Sequence, residues 1–204
     1  MGQLSLVDEK FGHWTGTLAP KEARIAIFEH VRDIPYAIIP ELRSPIVGPP
    51  GLIEQNRGSC QPKHYLIVQL FAKLNIPTRL VTYAFKWGDS EIRYPADLRN
   101  LISRLPVSYH LACKADINGN WVLVDATWDL PLRKVGFPVN EKWDGESGTI
   151  NAVTPIQEII HESAEDRVKF EKERQGRYTD AEKAVYAEFI DKLNRWLESV
   201  RQLR

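Results

Sequence analysis

The sequence predicts an α+β domain, in which helices surround strands that pair antiparallel, and two patterns carry this prediction. Apolar residues recur at positions i, i+3, i+4 and i+7 over residues 67–74, which is the spacing of a helix with one buried face. Two β-rich segments, 107–116 and 120–125, flank the dipeptide Asn118-Gly119, the strongest short turn signal for a β-hairpin. A helix and an antiparallel hairpin therefore form the centre of the predicted fold.

The composition indicates one domain without a strong electrostatic partner. The chain has 204 residues, of which 43% are hydrophobic, and this suffices for a single core. We expect the core over about residues 20–130 and a helical extension over about residues 153–204. Lysine plus arginine equals aspartate plus glutamate at 27 each, so the formal net charge is zero. A neutral balance predicts neither nucleic acid nor a membrane as a partner.

The sequence also predicts the cellular location and the absence of cofactors. Its first residues lack the basic segment and apolar run of a secretory signal, and no stretch approaches the roughly 20 apolar residues of a membrane span. We therefore expect a cytoplasmic protein. The two cysteines, Cys60 and Cys113, are too few for a disulfide scaffold and lack the spacing of zinc or redox motifs. No metal or other cofactor is expected.

The N-terminal third is predicted to hold one helix between two irregular segments. Residues 11–17 are aromatic and glycine-containing, and we expect an irregular arm there. Pro20 begins a helix at a position where proline is tolerated, and Ile34-Pro35 ends it. Residues 35–58 contain five prolines and three glycines, which predicts a long ordered loop of the kind that is often functional.

Regular elements follow through the middle of the chain. Ser59 is placed to cap the helix that contains the apolar pattern, and residues 75–77, Asn-Ile-Pro, end that helix. Residues 78–85 alternate and are rich in β-forming residues, which predicts a strand. A short helix is expected over residues 95–104, before the hairpin.

The C-terminal part is predicted to be mostly helical. A proline- and glycine-rich loop is expected over residues 131–152, followed by a polar helix over residues 153–174. Thr179 and Glu182 have the spacing of a capping box, which begins a final amphipathic helix. Its apolar side is most simply core of the same chain, and a homodimer contact through this helix is the minority interpretation.

Cys60 has the position of a nucleophile, directly after Gly58-Ser59 at the start of a helix. A helix N-terminus presents partial positive charge and unpaired N–H groups, and both favour a thiolate. The same N–H groups can hold the oxyanion that forms when a thiolate attacks an acyl carbon. The alternative for a lone cysteine is a small buried hydrophobic residue. The assignment therefore depends on its partners.

The predicted hairpin brings a suitable base and a carboxylate together. A thiolate nucleophile needs a histidine as base and acid, and the histidine needs a group that fixes its tautomer. With the turn at Asn118-Gly119, His110 faces Thr127 in ideal register. Asp125 then lies two residues away on the same face, within diagonal reach of the imidazole. The spacing predicts a Cys60, His110 and Asp125 triad.

Several motifs follow in an order that resembles the transglutaminase-like superfamily. Residues 58–60, Gly-Ser-Cys, open a helix. Residues 75–79, Asn-Ile-Pro-Thr-Arg, are similar to the strand entry of that family, with asparagine where glycine is common. His110 follows, and residues 121–127 fit the pattern W-x-x-V-D-x-T. The resemblance covers about residues 20–130.

This resemblance implies a papain-like core, in which the cysteine-bearing helix packs on an antiparallel sheet. It also implies that Cys60, His110 and Asp125 form an acyl-enzyme with an amide or ester substrate. The superfamily includes transglutaminases, cysteine proteases and peptide N-glycanases. The resemblance therefore leaves the substrate open.

Further residues near the predicted nucleophile are candidates for oxyanion or substrate binding. Gln55 and Asn56 are candidates for the second oxyanion donor, or they are ordinary loop residues. Tyr36 and Trp14 are alternatives that could fold over the site. Gly58 would let a substrate backbone approach closely. Trp128 either forms an aromatic wall of the site or covers the core. His64, four residues after the nucleophile, is predicted to pack on its helix rather than to act as base or metal ligand.

The leading functional hypothesis is a protease- or amidase-type hydrolase with a peptide or protein amide as substrate. One alternative is a transglutaminase-type acyl transferase, in which an amine replaces water. The other is a catalytically silent binding module on the same fold. An open wet cleft would favour hydrolysis, a hydrophobic tunnel would favour transfer, and a blocked cysteine would favour binding alone.

Overall fold

The computed structural model describes residues 5–203. Two 3-10 helices, Pro40–Arg43 and Leu130–Val135, lie in the connections between the longer elements. The α-helices are α1 (Leu6–Thr15), α2 (Pro20–Asp33), α3 (Gly48–Gln55), α4 (Cys60–Lys73), α5 (Ala96–Ile102), α6 (Ala164–Gln175) and α7 (Asp180–Gln202). The strands are β1 (Thr78–Phe85), β2 (Ser108–Ile117), β3 (Asn120–Val124) and β4 (Gln157–His161).

The predicted α+β class is confirmed. The four strands form one sheet in the order β3-β2-β1-β4, and every neighbouring pair is antiparallel. Helix α4, which begins at the cysteine, packs against β1 and β2. Additional helices precede and follow this centre. The papain-like arrangement of a cysteine-bearing helix on an antiparallel sheet is therefore present.

The hairpin of β2 and β3 has the predicted turn. Asn118 and Gly119 have φ angles of 55° and 84°, and positive values at both central residues are typical of a type I′ turn. The side chain of Asp116 accepts a hydrogen bond from the Gly119 N–H at 2.8 Å. Ile117 pairs with Asn120, which fixes the register of the strands and places the residue after β3 beside the middle of β2.

The predicted N-terminal arm over residues 11–17 is wrong, because most of it belongs to α1. Ser5 caps this helix by accepting a hydrogen bond from the Asp8 N–H, and the Asp8 carboxylate accepts one from the Ser5 N–H. Val7 is buried in the same cluster as Ile27 of α2. Capping and burial together outweigh the low helix propensity of Gly12.

The predicted loop over residues 35–58 also contains a helix, α3. Pro49 and Pro50 occupy the first turn of α3, where a missing N–H costs no helical hydrogen bond. Gly51 lies so close to Leu42 that a Cβ atom at this position would be 2.4 Å from a Leu42 methyl carbon. The proline and glycine residues therefore begin and pack a helix rather than extend a loop.

The predicted helix over residues 153–174 is wrong in its first half. Residues 157–161 form β4, which pairs with the free edge of β1 from Leu80 to Ala84. Helix α6 then begins after Ser163, whose side chain accepts a hydrogen bond from the Asp166 N–H. Pairing with an open sheet edge has outweighed the polar, helix-like composition of this segment.

The final helix packs into the core of its own chain. The start of α7 has the predicted capping box of Thr179 and Glu182. Its buried apolar residues lie in one cluster with Trp87 and Trp128, and they are Val185, Phe189, Leu193, Leu197 and Val200. Homodimerisation through the remaining surface of α7 stays a prediction. In the described part of the chain, residues 5–203, no helix is long and apolar enough to cross a membrane.

Candidate active site

The nucleophile candidate Cys60 is the first residue of α4, with Ser59 in the N-cap position. The first helical hydrogen bond that begins near this end runs from the Lys63 N–H to the Ser59 carbonyl, at 3.3 Å. Pro62 has no N–H, so the backbone donors of the first turn are those of Cys60 and Gln61. They are positioned at the sulfur, where an oxyanion would form.

His110 and Asp125 are joined directly, as the hairpin geometry predicts. Nε2 of His110 lies 2.8 Å from Oδ2 of Asp125. The carboxylate also accepts hydrogen bonds from the Ala152 N–H at 2.9 Å and from the Thr127 N–H and hydroxyl at 3.2 and 2.6 Å. With only 1% of its surface exposed, Asp125 is a buried and fully bonded anion that fixes the imidazole ring.

The charges in this pair support one another. Burial opposes the charged form of His110, but the charges of Asp125 and Cys60 and hydrogen bonds to both raise the pKa of His110 to about 10. Burial also disfavours ionisation of Asp125. The charge and hydrogen bond of His110 nevertheless hold the pKa of that carboxyl well below its usual range. An imidazolium beside a carboxylate is thus the stable state at neutral pH.

Cys60 is within interaction distance of the same imidazole. The nearby cysteine side chain, which can accept a proton from the imidazolium, is among the causes of the raised pKa of His110. Because Nε2 of His110 is bonded to Asp125, Nδ1 is the ring nitrogen that remains for the sulfur. The three predicted site residues are therefore brought together in the order sulfur, imidazole, carboxylate.

His64 lies beneath the triad as a neutral histidine. Its Nδ1 donates to the Cys60 carbonyl at 2.8 Å, and its Nε2 accepts the Ala126 N–H at 3.2 Å. Burial lowers the pKa of His64 to about 4. Its Nε2 is 3.6 Å from Asp125, but an accepting nitrogen carries no proton, so the contact is not an ion pair. As predicted, His64 packs on its helix, although it is buried rather than exposed.

Lys63 connects helix α4 to the segment that follows β3. Its ammonium group donates to the carbonyls of Arg32 and Thr127 at 3.0 and 2.9 Å, and to that of Ala126 at 3.4 Å. Burial lowers the pKa of Lys63 to about 7, against the attraction of Asp129. This buried amine ties the end of α2 to the residues next to the triad carboxylate.

An ion pair between the part-buried Arg201 and the buried Asp129 ties the last turn of α7 to the site. The Arg201 guanidinium donates to both carboxylate oxygens of Asp129, at 2.8 and 2.9 Å, and to the Tyr36 carbonyl at 2.8 Å. Asp129 also accepts the Tyr36 N–H at 2.8 Å. Tyr36 in turn forms an isolated parallel bridge with Gly58, two residues before the nucleophile. The C-terminal helix thus positions the chain around Cys60.

Replacing Arg201 with glutamine is expected to lower the free energy of unfolding by about 3 kcal/mol, because Asp129 remains buried without its cation. Urea denaturation monitored by circular dichroism measures the change. Arg195→Gln on the same helix is a matched control, since it removes an exposed pair with Asp191 and should cost less than about 0.5 kcal/mol. Equal losses in the two variants would contradict an anchoring role for Arg201.

Cys60 and His110 line a cavity of about 350 Å³. Its aromatic residues come from the sheet, the segment after β3 and the Tyr36 segment, and also from α6, α7 and the turn between them. Most of its charged residues come from α6 and α7. The aromatic lining residues are Tyr36, Phe85, Trp87, Tyr109, Trp128, Phe170, Tyr178 and Tyr186, and the charged ones other than His110 are Arg43, Arg167, Glu171, Arg174 and Lys183.

Of the other predicted binding residues, one lines the cavity and two do not. Trp128 lines the cavity and donates its indole N–H to the Ala152 carbonyl at 2.8 Å, so it is both wall and core. Gln55 ends α3 with an exposed side chain and does not line the cavity. Gly58 does not line the cavity either. A Cβ atom on Gly58 would be 2.5 Å from a Leu52 methyl carbon, so protein rather than substrate approaches it closely.

Tyr36 is the phenol close to Cys60. It lines the cavity, and burial together with the charge of Cys60 raises its pKa well above the usual value. The phenol therefore keeps its proton and can donate a hydrogen bond to an oxyanion. Of the candidate second donors, Tyr36 lines the cavity, whereas Gln55, Asn56 and Trp14 do not.

The charged residues of α6 that line the cavity were not predicted from the sequence. Arg167, Glu171 and Arg174 belong to α6, whose composition is strongly polar. A polar helix usually indicates a solvated face, so only the spacing of Phe170 between these charges distinguishes the segment. Within residues 5–203, no group of three or more His, Cys, Asp or Glu side chains is arranged to hold a metal ion.

Comparisons with known proteins add little to this geometry. No protein-family model matches the sequence, and no curated protein matches it. Among solved structures, the chain is similar to a protein from Cytophaga hutchinsonii described as a "Putative Cysteine Protease", at 19% sequence identity and a TM-score of 0.40. The similarity covers 75% of this chain and 48% of that chain, so this chain spans about half the length of the other. Functional inference therefore rests on the site itself.

Proposed function

We propose that the protein is a cysteine-nucleophile hydrolase that forms an acyl-enzyme with an amide substrate. The observation that carries the proposal is the buried array of Cys60, His110 and Asp125 at the wall of a cavity. The array supplies a nucleophile, a proton carrier and an orienting carboxylate, which are the three groups that thiol catalysis requires. The superfamily resemblance of the same residues supports the assignment.

In the first half of the reaction, the Cys60 thiolate attacks the acyl carbon and forms a C–S bond. The carbonyl oxygen becomes an oxyanion, which the N–H groups at the start of α4 and the Tyr36 phenol are placed to bind. The intermediate collapses when the C–N bond breaks. His110 donates its proton to the departing amine, and Cys60 is left as a thioester.

In the second half, water attacks the thioester while neutral His110 accepts its proton. The C–S bond breaks, the acid leaves, and the thiolate and imidazolium are restored. Asp125 holds the ring through Nε2 in both halves and stabilises its charged form. No proton needs to move to Asp125, since the pKa of that carboxyl is well below that of the imidazole.

Acyl transfer is the second candidate function. Eight aromatic residues line the cavity, and such walls limit the access of water to the thioester. An amine that enters the cavity would then compete with water for the acyl group, with the same roles for Cys60 and His110. The two functions differ only in the second nucleophile, so one experiment can distinguish them.

The proposal predicts a burst of one p-nitrophenolate per chain when the protein meets a p-nitrophenyl ester of a short acid. Mass spectrometry should find the acyl group on Cys60, and Cys60→Ala should show neither burst nor adduct. Addition of hydroxylamine should accelerate turnover strongly if transfer dominates and weakly if water already resolves the thioester. Acylation spread over lysines, without a burst, would contradict both functions.

A further inference from the structure

The cavity contains more positive than negative charge close to the nucleophile. We use the name arginine cluster for Arg43, Arg167 and Arg174, which line the cavity together with Lys183. Glu171 is the one carboxylate among the lining residues. It therefore offsets only part of the positive charge that the cluster presents.

Two hydrogen-bond donors on the cavity wall are buried and unused. The side chain of Arg167 is 1% exposed, and its Nε–H has no hydrogen-bond partner among the residues that the structure describes. The indole N–H of Trp87 is likewise buried without a partner in that part of the chain. Both groups can only donate, and a buried donor without a partner costs about 1–3 kcal/mol. A ligand with acceptor oxygens in the cavity would remove that cost.

The arginine cluster is connected to the neighbours of both proposed catalytic side chains. Nη1 of Arg167 is 3.0 Å from Glu171, and Nε of Arg43 is 4.0 Å from the same carboxylate. Glu171 also accepts a hydrogen bond from the side chain of Gln61, the residue after Cys60. Glu171 therefore connects the arginine cluster to the start of α4.

Arg174 reaches the other side of the site. Its guanidinium carbon lies 5.4 Å from the ring centre of Tyr109, which precedes His110, and 5.1 Å from that of Phe170. Contact with two aromatic rings holds the guanidinium in place, and its N–H groups can donate to a ligand. The arginine cluster and Cys60 therefore line the same cavity.

We propose that the cavity selects an acyl substrate that carries a carboxylate, which the arginine cluster binds while the scissile carbonyl lies at Cys60. A planar carboxylate matches the paired donors of guanidinium groups and would give the Arg167 Nε–H its acceptor. A volume of about 350 Å³ is at the small end for ligand sites and suits a small acid or the end of a peptide. The role of this anion as substrate rests on the proposed hydrolase function, but its binding does not.

The test is thermal unfolding of the full chain with glutarate, compared with the neutral diamide glutaramide at the same ionic strength. Glutarate at roughly tenfold above its Kd is expected to raise the midpoint by about 3 °C, and glutaramide is expected to leave it unchanged. Arg167→Gln and Arg174→Gln should each weaken glutarate binding about tenfold. Arg174 is the less buried of the two and keeps the test valid if the Arg167 variant does not fold.

Arg195→Gln is the matched control, because Arg195 is exposed on α7 and does not line the cavity. It should keep the response to glutarate. Equal stabilisation by glutarate and glutaramide, or an undiminished response in Arg174→Gln, would overturn the inference. Glutarate binding without acylation of Cys60 would uphold the carboxylate site and refute the hydrolase. Acylation of Cys60 without glutarate binding would uphold the hydrolase and refute the carboxylate site.

The two sources of the carboxylate are separated by a second comparison. Glutarate represents a small acid, and a dipeptide with a free C-terminus represents the end of a peptide. Each acid is tested beside its own amide. The acid that stabilises the protein more than its amide does identifies the source of the carboxylate. Failure of both acids to stabilise it would overturn the proposal.

Discussion

Replacing His110 with alanine is expected to slow alkylation of Cys60 by iodoacetamide about 10²- to 10³-fold at neutral and mildly acidic pH. The imidazolium stabilises the thiolate, and a positioned histidine contributes rate factors of this size. In the wild type, labelling should stay fast at a pH where an ordinary thiol, with a pKa of about 8.5, is protonated. Mass spectrometry of the Cys60 peptide against pH measures the rate.

The shape of the pH profile is part of this expectation. The pKa of His110 is raised to about 10, so the imidazolium and its effect on the labelling rate should be lost as the pH rises through that value. His30→Ala is a suitable control, because His30 stacks on Trp14 and does not line the cavity. Cys113, which is fully buried, serves as an internal reference. Labelling of Cys60 that follows an ordinary thiol would contradict the activated pair.

Replacing Asp125 with alanine is expected to lower the free energy of unfolding by roughly 3–5 kcal/mol. The change leaves the buried imidazolium of His110 without its anion and removes the acceptor of the Ala152 and Thr127 donors. Urea denaturation at pH 7 measures it. Asp180→Asn is the control, because Asp180 is fully exposed and its loss should cost less than about 0.5 kcal/mol.

The pH dependence of stability should change in the same variant. The pKa of Asp125 is lowered on folding, so its contribution is present above the unfolded value of about 4 and is lost as the pH falls below it. The pKa of His110 is raised, so its contribution is full below about pH 6.5 and is lost as the pH rises through about 10. An Asp125→Ala variant that loses stability in acid as the wild type does would contradict this coupling.

Local sequence signals predicted an element correctly where residues with a special backbone conformation or a regular spacing determine that element. Asn118-Gly119 has a conformation that few other residue pairs adopt, and this fixed the register that brings Asp125 to His110. Residues 78–85 match β1 at both ends because the segment is rich in β-forming residues, although its last six residues are all buried rather than alternating in burial. The helix that begins at Cys60 was equally recognisable from its apolar face and its flanking residues.

Long-range contacts decided the elements that were missed. β4 forms because the edge of β1 is open, and no pattern within residues 157–161 records that edge. The ion pair of Arg201 with Asp129 joins residues that have no sequence relation, and it selects the position of Tyr36. Gln55 lies only five positions before Cys60 in the sequence. The left-handed conformation of Asn56 nevertheless turns the chain between α3 and α4, and Gln55 does not line the cavity. Such placements depend on packing rather than on composition.

The anchoring of α7 also has a consequence for the way in which the protein folds. Arg201 bonds to Asp129 and Tyr36, which lie 72 and 165 positions away along the chain. Contacts of this separation form late, because the chain entropy of closing such long loops opposes them until much else is in place. We therefore expect the helix that encloses the thiol to dock near the end of the folding pathway. Until then Cys60 would lie at the end of a helix, and the cavity that it lines would not yet be enclosed.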